Sequence, residues 1–117
     1  MVNYSYRLAP EHQFPAPMED INSVFGWILD NREKYGLDTE NLFAVGDSAG
    51  GQILSLYADI CTNEEYAKNY TFKVPEGLHI SAVALNCGQY NLEKTEDMTR
   101  QLMEEYLPEK GTEKELR

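Results

Sequence analysis

The stretch that decides the fold is Leu42-Phe43-Ala44-Val45-Gly46-Asp47-Ser48-Ala49-Gly50-Gly51-Gln52-Ile53-Leu54. It opens with a short continuous apolar run, which predicts a strand at about 42–46 that is buried on both faces, as in a parallel sheet. From Ala49 onward the apolar residues recur at helical spacing. Five of them share one face of the predicted helix, with Leu54 beside it: Ile53, Leu56, Tyr57, Ile60 and Cys61.

Between the predicted strand and helix, Gly46-Asp47-Ser48-Ala49-Gly50 fits the pattern G-x-S-x-G. A serine in this setting is typical of a nucleophile elbow, where a sharp turn projects the hydroxyl above the sheet. Ser48 is then the predicted nucleophile, and the N–H of Ala49 is a predicted oxyanion donor at the helix N-terminus. Gly46 and Gly50 are expected where a Cβ would collide. The alternative is an ordinary Gly-Ser turn that caps the helix.

Outward from this motif, the pattern alternates strands and helices along the chain. It predicts a strand at 2–6, a proline-containing loop at 8–17, a helix at about 17–35 that ends at Gly36, a surface loop at 62–77 and a strand at 80–87. Thr95 is the predicted cap of a last helix, which Pro108 ends; its apolar stripe is Met98, Leu102, Met103 and Tyr106. This alternation predicts an α/β fold in which helices flank a parallel sheet.

The composition narrows the classes of function. The 117 residues include 20 acidic and 10 basic side chains, a formal net charge of -10, which argues against nucleic acid and anionic membranes as partners. No apolar run has the length of a membrane span, and no secretory signal is expected after Met1. Cys61 and Cys87 lack metal or redox spacing and are expected to be buried free thiols in a reducing, cytoplasmic compartment. No metal or cofactor is predicted.

Several motifs occur together in a characteristic order: Tyr6-Arg7-Leu8-Ala9-Pro10-Glu11, Phe14-Pro15-Ala16-Pro17, Asp20, Trp27 and Gly46-Asp47-Ser48-Ala49-Gly50-Gly51. Over roughly residues 2–58 the chain resembles the hormone-sensitive-lipase-like branch of the α/β-hydrolases. The resemblance implies a carboxylesterase that acts on small-molecule esters with short acyl groups through a Ser48 acyl-enzyme. It implies an elbow of Gly46, Asp47, Gly50 and Gly51 in which Asp47 is not catalytic. It also suggests a polar network of Arg7, Glu11 and Asp20.

The chain also departs from this family. It has no His-Gly-Gly-Gly segment, which supplies the other oxyanion donors, and the family's catalytic acid and histidine lie farther downstream of the serine. His12 and His79 do not match the family's base, and three acidic residues come too early to match its acid: Glu93, Glu96 and Asp97. We therefore expect residues 1–117 to be the central fragment of one α/β-hydrolase domain, without the strands before residue 2 and after about residue 87, and inactive alone.

In the family, a further strand lies between those that match 2–6 and 42–46. Three outcomes are open: residues 2–6 pair directly with 42–46, become disordered, or exchange between two chains. Rearrangement or association is therefore expected, as a homo-oligomer or a strand-swapped dimer. The alternative function is that of a non-catalytic fragment or subunit that acts by association through open strand edges. A nucleotide-binding flavodoxin-like domain is disfavoured, because prolines stand where its phosphate loop would need glycines.

Overall fold

The computed structural model describes residues 1–91 and 97–108. Its elements are α1 (Ala16–Tyr35), β1 (Phe43–Asp47), α2 (Ala49–Thr62), α3 (Glu64–Ala67), β2 (Ala82–Asn86) and α4 (Asp97–Tyr106). Strands β1 and β2 pair in parallel, with Phe43 opposite Ala82 and Asp47 opposite Asn86. The predicted α/β class is confirmed. The helix that follows the serine is also confirmed, and so are the two parallel strands that precede and follow this helix in the chain.

Helix α1 agrees closely with its predicted bounds. Pro17 lies in its first turn, where a missing N–H costs nothing. Gly36 ends the helix with φ 62, a left-handed conformation that favours glycine. The N–H of Gly36 donates to the carbonyl oxygen of Glu33, and that of Leu37 to the carbonyl oxygen of Arg32. These two bonds satisfy carbonyl groups that the end of the helix would otherwise leave without partners.

The hydrophobic core lies mainly between α1 and α2. Tyr57 is fully buried, and its ring stacks on Phe25 with the centroids 5.2 Å apart. Its hydroxyl donates to Oδ1 of Asn22 at 2.8 Å, so the one polar atom of the buried phenol is paired. The core cluster consists of Phe14, Met18, Ile21, Phe25, Ile28, Ile53, Leu54, Tyr57 and Ile60. The predicted inner face of α2 is thus confirmed, although Leu56 and Cys61 at its margin are only half-buried.

Neither strand is buried on both faces, and that prediction is wrong. Ala44 and Gly46 turn toward α2, whereas the side chains of Phe43 and Val45 are 68% and 72% exposed. All five residues of β2 are exposed. In the described part of the chain, α2 packs on one side of both strands. The other side, here called the bare face, carries the side chains of Phe43, Val45, Ala82 and Ala84.

Residues 2–6 form no strand, so the strand predicted there is wrong, and direct pairing with 42–46, one of the three open outcomes, does not occur. Within residues 1–91 and 97–108 the sheet consists of β1 and β2, and segment 2–6 stays outside it. Tyr4 and Tyr6 pack against the core cluster instead. Just beyond them, Arg7 is tied to the start of α1. Its backbone N–H and its Nε donate to the Asp20 carboxylate, each at 2.8 Å.

The polar network beside the proline loop forms, but with a different second acid. Arg7 pairs with Asp20 and with Glu19, whose carboxylate lies 2.8 Å from the guanidinium. The expected Glu11 is exposed and has no ion pair in the described residues. Glu19 and Asp20 lie in the first turns of α1, so one guanidinium reaches both. Their charge also suits the positive end of that helix.

The 62–77 region is largely the predicted surface loop, but the prediction missed the short helix α3 within it. The Asn63 side chain accepts hydrogen bonds from the N–H groups of Glu65 and Tyr66, which starts the short helix α3. Tyr70 packs edge-on against Phe14, and Phe14 packs in the same way against Tyr106 of α4. This aromatic cluster closes one end of the core. The predicted cap Thr95 lies outside the described residues.

Candidate active site

Ser48 occupies the turn between β1 and α2 in an unusual backbone conformation. Its φ is 52° and its ψ is -118°, a region that non-glycine residues rarely enter. The surrounding backbone holds this conformation. The N–H of Ser48 donates to the carbonyl oxygen of Asn86 at 2.8 Å, and its carbonyl oxygen accepts from the N–H of Gln52 at 3.1 Å. The residue is exposed at the carboxyl end of β1.

The glycines around Ser48 do not all serve the same purpose. A Cβ on Gly46 would lie 2.3 Å from the carbonyl oxygen of Gly50, so only glycine fits there. A Cβ on Gly50 would meet nothing within 4 Å, and the collision expected at that position is wrong. Gly51 is the second restricted position, because its Cβ would lie 3.0 Å from the carbonyl oxygen of Asn86. The strand and helix therefore approach each other at Gly46 and Gly51.

The alternative of a simple helix cap is not supported. Ser48 is the N-cap residue of α2, yet its side chain makes no capping hydrogen bond. An N-cap serine normally uses its hydroxyl to accept from an N–H in the first turn. The hydroxyl of Ser48 is therefore not engaged in stabilising the helix that follows it.

The start of α2 is suited to hold negative charge. Ala49 is its first residue and is exposed. The first-turn N–H groups of a helix point outward at its positive end. The first turn of α2 contains no acidic residue that would offset this charge. A helix N-terminus of this kind is able to donate backbone hydrogen bonds to an anion beside Ser48.

A contact that the sequence did not indicate lies at the end of β2. Cys87 follows directly after the strand, with φ 50, and it is exposed, so the expected burial of this thiol is wrong. The hydroxyl of Tyr90 accepts from the N–H of Gly88 at 3.1 Å. It also lies 3.0 Å from where a Cβ of Gly51 would be. The turn after β2 therefore packs against the elbow. The one sequence feature that could have predicted this contact is the position of the turn directly after the neighbouring parallel strand.

Neither histidine is brought to Ser48. His79 precedes β2, at the end of the sheet where Phe43 pairs with Ala82, whereas Ser48 follows the opposite end. A strand of five residues separates those ends by about 17 Å. His12 lies exposed in the loop before α1, and neither histidine ring hydrogen-bonds to Ser48 in the described residues. Glu93 and Glu96 lie outside the described residues, and Asp97 begins α4.

Across residues 1–91 and 97–108, no group of three or more His, Cys, Asp or Glu side chains has a geometry that could hold a metal ion. Nor does any helix there combine the length and the hydrophobicity needed to cross a bilayer.

Comparison with known proteins assigns the chain to a family. A family model described as the α/β hydrolase fold matches residues 1–116. Arylacetamide deacetylase from Oryctolagus cuniculus is 45% identical over 60 residues, which are 50% of this chain and 15% of that enzyme. Carboxylesterase NlhH from Mycobacterium tuberculosis is 38% identical over 60 residues, 51% of this chain and 19% of that enzyme. The matched part of the chain thus spans less than a fifth of the length of either relative.

Solved structures agree with the family model. An α/β hydrolase from the metagenome of Lake Arreo, crystallised as a serine-to-alanine mutant, matches with a TM-score of 0.72 and 26% identity. That match covers 96% of this chain and 37% of the other. The esterase of Pyrobaculum calidifontis matches with a TM-score of 0.60 and 30% identity, over 83% of this chain and 28% of that one. With the family model matched from residue 1 to residue 116, this chain belongs to the α/β-hydrolase fold family.

Proposed function

We propose that this chain carries the nucleophile segment of a serine carboxylic-ester hydrolase that acts on small esters with short acyl groups. The observation that carries the proposal is the elbow itself. Ser48 has φ 52°, its hydroxyl does not cap α2, and a Cβ at Gly46 would collide with Gly50. The named esterase relatives support the same class of reaction.

In the proposed reaction, Oγ of Ser48 attacks the ester carbonyl carbon and its proton is transferred to a base. The carbonyl oxygen becomes an oxyanion, toward which the N–H of Ala49 donates. Collapse of this intermediate breaks the bond to the alcohol, which leaves with the proton, and Ser48 carries the acyl group. Water then attacks the acyl-enzyme and releases the acid. The elbow that holds Ser48 consists of Gly46, Asp47, Gly50 and Gly51.

The described residues contain no base that contacts Ser48, so we infer that the 117-residue chain turns over slowly or not at all. A nucleophile that lacks its base loses several orders of magnitude in rate. In this proposal residues 1–117 act as the central part of one hydrolase domain. The two free cysteines support a reducing location, which we propose to be the cytoplasm.

The nucleophile is tested by covalent labelling of the full chain with an alkyl fluorophosphonate, followed by mass spectrometry of peptides. One phosphonyl group on Ser48 is expected after long incubation, and none in Ser48→Ala. Ser55→Ala is the matched control, because the Ser55 hydroxyl donates to the carbonyl oxygen of Gln52 within α2. Labelling elsewhere than Ser48, or turnover of p-nitrophenyl acetate unaffected by Ser48→Ala, would contradict the proposal.

A second candidate, association without catalysis, is favoured by the edge of β1 that pairs with no strand in the described part of the chain. This strand pairs with β2 on one side, and its other edge faces a groove. Unpaired strand edges promote pairing with another chain. A homo-oligomer or strand-swapped dimer is one form of such association. Sedimentation velocity tests it, since a monomeric mass at all concentrations would exclude this form.

A further inference from the structure

The carbonyl oxygen of Asn86 takes part in two contacts between β2 and the elbow. It accepts from the N–H of Ser48 at 2.8 Å. It also lies 3.0 Å from where a Cβ of Gly51 would be, so this one oxygen reaches both the nucleophile and the first turn of α2. The bond from Ser48 N–H helps to hold that residue at a φ of 52°. The position of Asn86 therefore bears directly on the conformation of the nucleophile.

The chain turns sharply directly after Asn86. Cys87 has a φ of 50°, a left-handed conformation that a residue with a side chain keeps when its surroundings hold it there. Ser48 and Cys87 are the non-glycine residues with a positive φ in the described part of the chain. They stand side by side, because the residues before them, Asp47 and Asn86, are partners in the sheet. Both strained turns therefore depend on the packing around the same two strand ends.

Tyr90 supplies part of that packing. Its hydroxyl accepts from the N–H of Gly88 at 3.1 Å. Its ring lies against Gly88 so closely that a Cβ on this glycine would overlap the ring at Cζ and Cε1. The same hydroxyl lies 3.0 Å from where a Cβ of Gly51 would be. The side chain of Tyr90 thus connects the turn after β2 with the first turn of α2.

Three oxygen atoms converge on the side of Gly51 where a side chain would be. The Tyr90 hydroxyl and the Asn86 carbonyl oxygen each lie 3.0 Å from the Cβ position, and the Gly46 carbonyl oxygen lies 3.1 Å from it. They come from the turn after β2, from β2 and from β1. Loss of the Tyr90 oxygen would leave a gap on one side of Gly51, and close-packed regions transmit such a change to their neighbours.

We propose that Tyr90 is a positioning residue for Ser48. It holds the turn after β2 against the first turn of α2, and so keeps the Asn86 carbonyl oxygen where the N–H of Ser48 donates to it. This inference rests on the proposed function, because it concerns the nucleophile of that reaction. Tyr90 acts through Asn86 and Gly51 and not through the ester. Exact placement of a reacting group raises the rate without any new contact to the substrate.

The test measures the rate at which an alkyl fluorophosphonate labels Ser48 in the full chain, well below the unfolding midpoint of each variant. Tyr90→Phe removes the hydroxyl and should slow labelling about fivefold, the effect of one hydrogen bond. Tyr90→Ala also removes the ring and should slow labelling by about tenfold or more. Each loss should be the same for an ethyl and an octyl probe, because Tyr90 contacts the elbow and not the probe.

Tyr35→Ala is the matched control, since Tyr35 and Tyr90 are exposed to the same degree, 54% and 53%. Tyr35 lies at the end of α1, where it stacks on Trp27. Labelling of Ser48 in this variant should proceed at the rate of the unmodified chain.

Gly88→Ala tests the same contact with Tyr90 intact. The new Cβ would take the space of the Tyr90 ring, which is the movable end of a side chain, so the ring should swing away from Gly51. Gly88 does not have a left-handed φ, so alanine adds no backbone strain there. Labelling should slow as in Tyr90→Ala. The double variant should be no slower than Tyr90→Ala alone, because both changes break one contact.

Amide hydrogen exchange follows the positioning without any reaction at Ser48. The N–H of Ser48 should exchange faster in Tyr90→Ala than in the unmodified chain, because its bond to the Asn86 carbonyl oxygen is held less firmly. In Tyr35→Ala the exchange should be unchanged.

The possible results separate this inference from the hydrolase proposal. If Ser48 of the unmodified chain is labelled and Tyr90→Ala is labelled at the same rate, the positioning role alone is overturned. Unchanged exchange of the Ser48 N–H in Tyr90→Ala would overturn it as well. A loss of rate that differs between the two probes would make Tyr90 a residue that contacts the substrate instead. If Ser48 of the unmodified chain is never labelled, the hydrolase proposal fails, and the positioning role fails with it.

Discussion

A Cβ placed on Gly46 would lie 2.3 Å from the carbonyl oxygen of Gly50, whereas a Cβ on Gly50 would touch nothing within 4 Å. The two glycines of the same motif therefore tolerate substitution very differently. Gly46 lies at the end of β1 against the first turn of α2, and the backbone atoms that it approaches have no freedom to move aside.

Gly46→Ala should destabilise the fold by about 3 kcal/mol or more, the range in which overpacking displaces backbone. Gly50→Ala should be neutral or should stabilise by up to about 1 kcal/mol, because alanine favours a helix and the site is open. Urea unfolding of both variants, followed by circular dichroism, measures the difference. Equal destabilisation by the two substitutions would contradict the close approach at Gly46.

Tyr4 should make stability sensitive to alkaline pH. Burial, with the nearby Asp20 carboxylate, raises the pKa of Tyr4 from 10.0 to about 12. An unfolded tyrosine loses its proton near pH 10, while the folded one keeps it up to about pH 12. The neutral phenol therefore favours the folded state below pH 10, and this contribution is lost as pH rises from 10 to 12.

The measurement is the thermal midpoint between pH 9 and pH 12. The midpoint of Tyr4→Phe should fall less steeply with pH than that of the unmodified chain. Tyr35→Phe, which alters a phenol that is 54% exposed, is the control. Identical pH slopes for Tyr4→Phe and the unmodified chain would exclude Tyr4 as a source of alkaline sensitivity.

The tether between Arg7 and Asp20 should hold segment 1–7 against α1. Asp20→Ala removes the acceptor of both the Arg7 N–H and the guanidinium Nε. We expect faster amide hydrogen exchange at Arg7 and earlier proteolysis near the N-terminus. The cost in global stability should be below about 1 kcal/mol, because the pair is partly exposed.

Asp30→Ala serves as the control for this effect, since Asp30 is an exposed acidic residue on the same helix. Exchange at Arg7 should be unchanged in this variant. If Asp20→Ala left the exchange at Arg7 unchanged as well, the tether would have no role in ordering the segment.

Asn63 should nucleate α3. Asn63→Ala removes the acceptor for the N–H groups of Glu65 and Tyr66 and should cost about 1 kcal/mol. Asn63→Asp keeps an acceptor and should retain most of that stability. Asn69→Ala is an exposed control on the same segment. Equal unfolding midpoints for Asn63→Ala and Asn69→Ala would mean that the cap contributes nothing.

The sequence predicts those features that depend on local chemistry. Helix α1 follows from its apolar spacing, Pro17 and Gly36, and the elbow follows from Gly46 and Ser48 between a strand and a helix. These signals act within a few residues. The position of each of these two features can therefore be predicted from its own short stretch of sequence, without reference to the rest of the molecule.

Features that depend on distant packing are not predictable in this way. The apolar run of β1 suggests burial on both faces. The sequence of these residues does not indicate that α2 covers only one face of the strand. Residues 2–6 have the composition of a strand, yet Tyr4 and Tyr6 find their partners in the core. The contact between Tyr90 and the elbow joins the ends of two strands that are far apart in sequence. No local sequence pattern therefore predicts this contact.

The alternation in β1 has a consequence for how this region tolerates change. Phe43 and Val45 turn their side chains to the bare face, while their N–H and C=O groups point away from β2. Every amino acid except proline offers the same two backbone groups. Substitutions at these positions can therefore alter the bare face and leave the backbone hydrogen-bonding groups along this edge of β1 as they are.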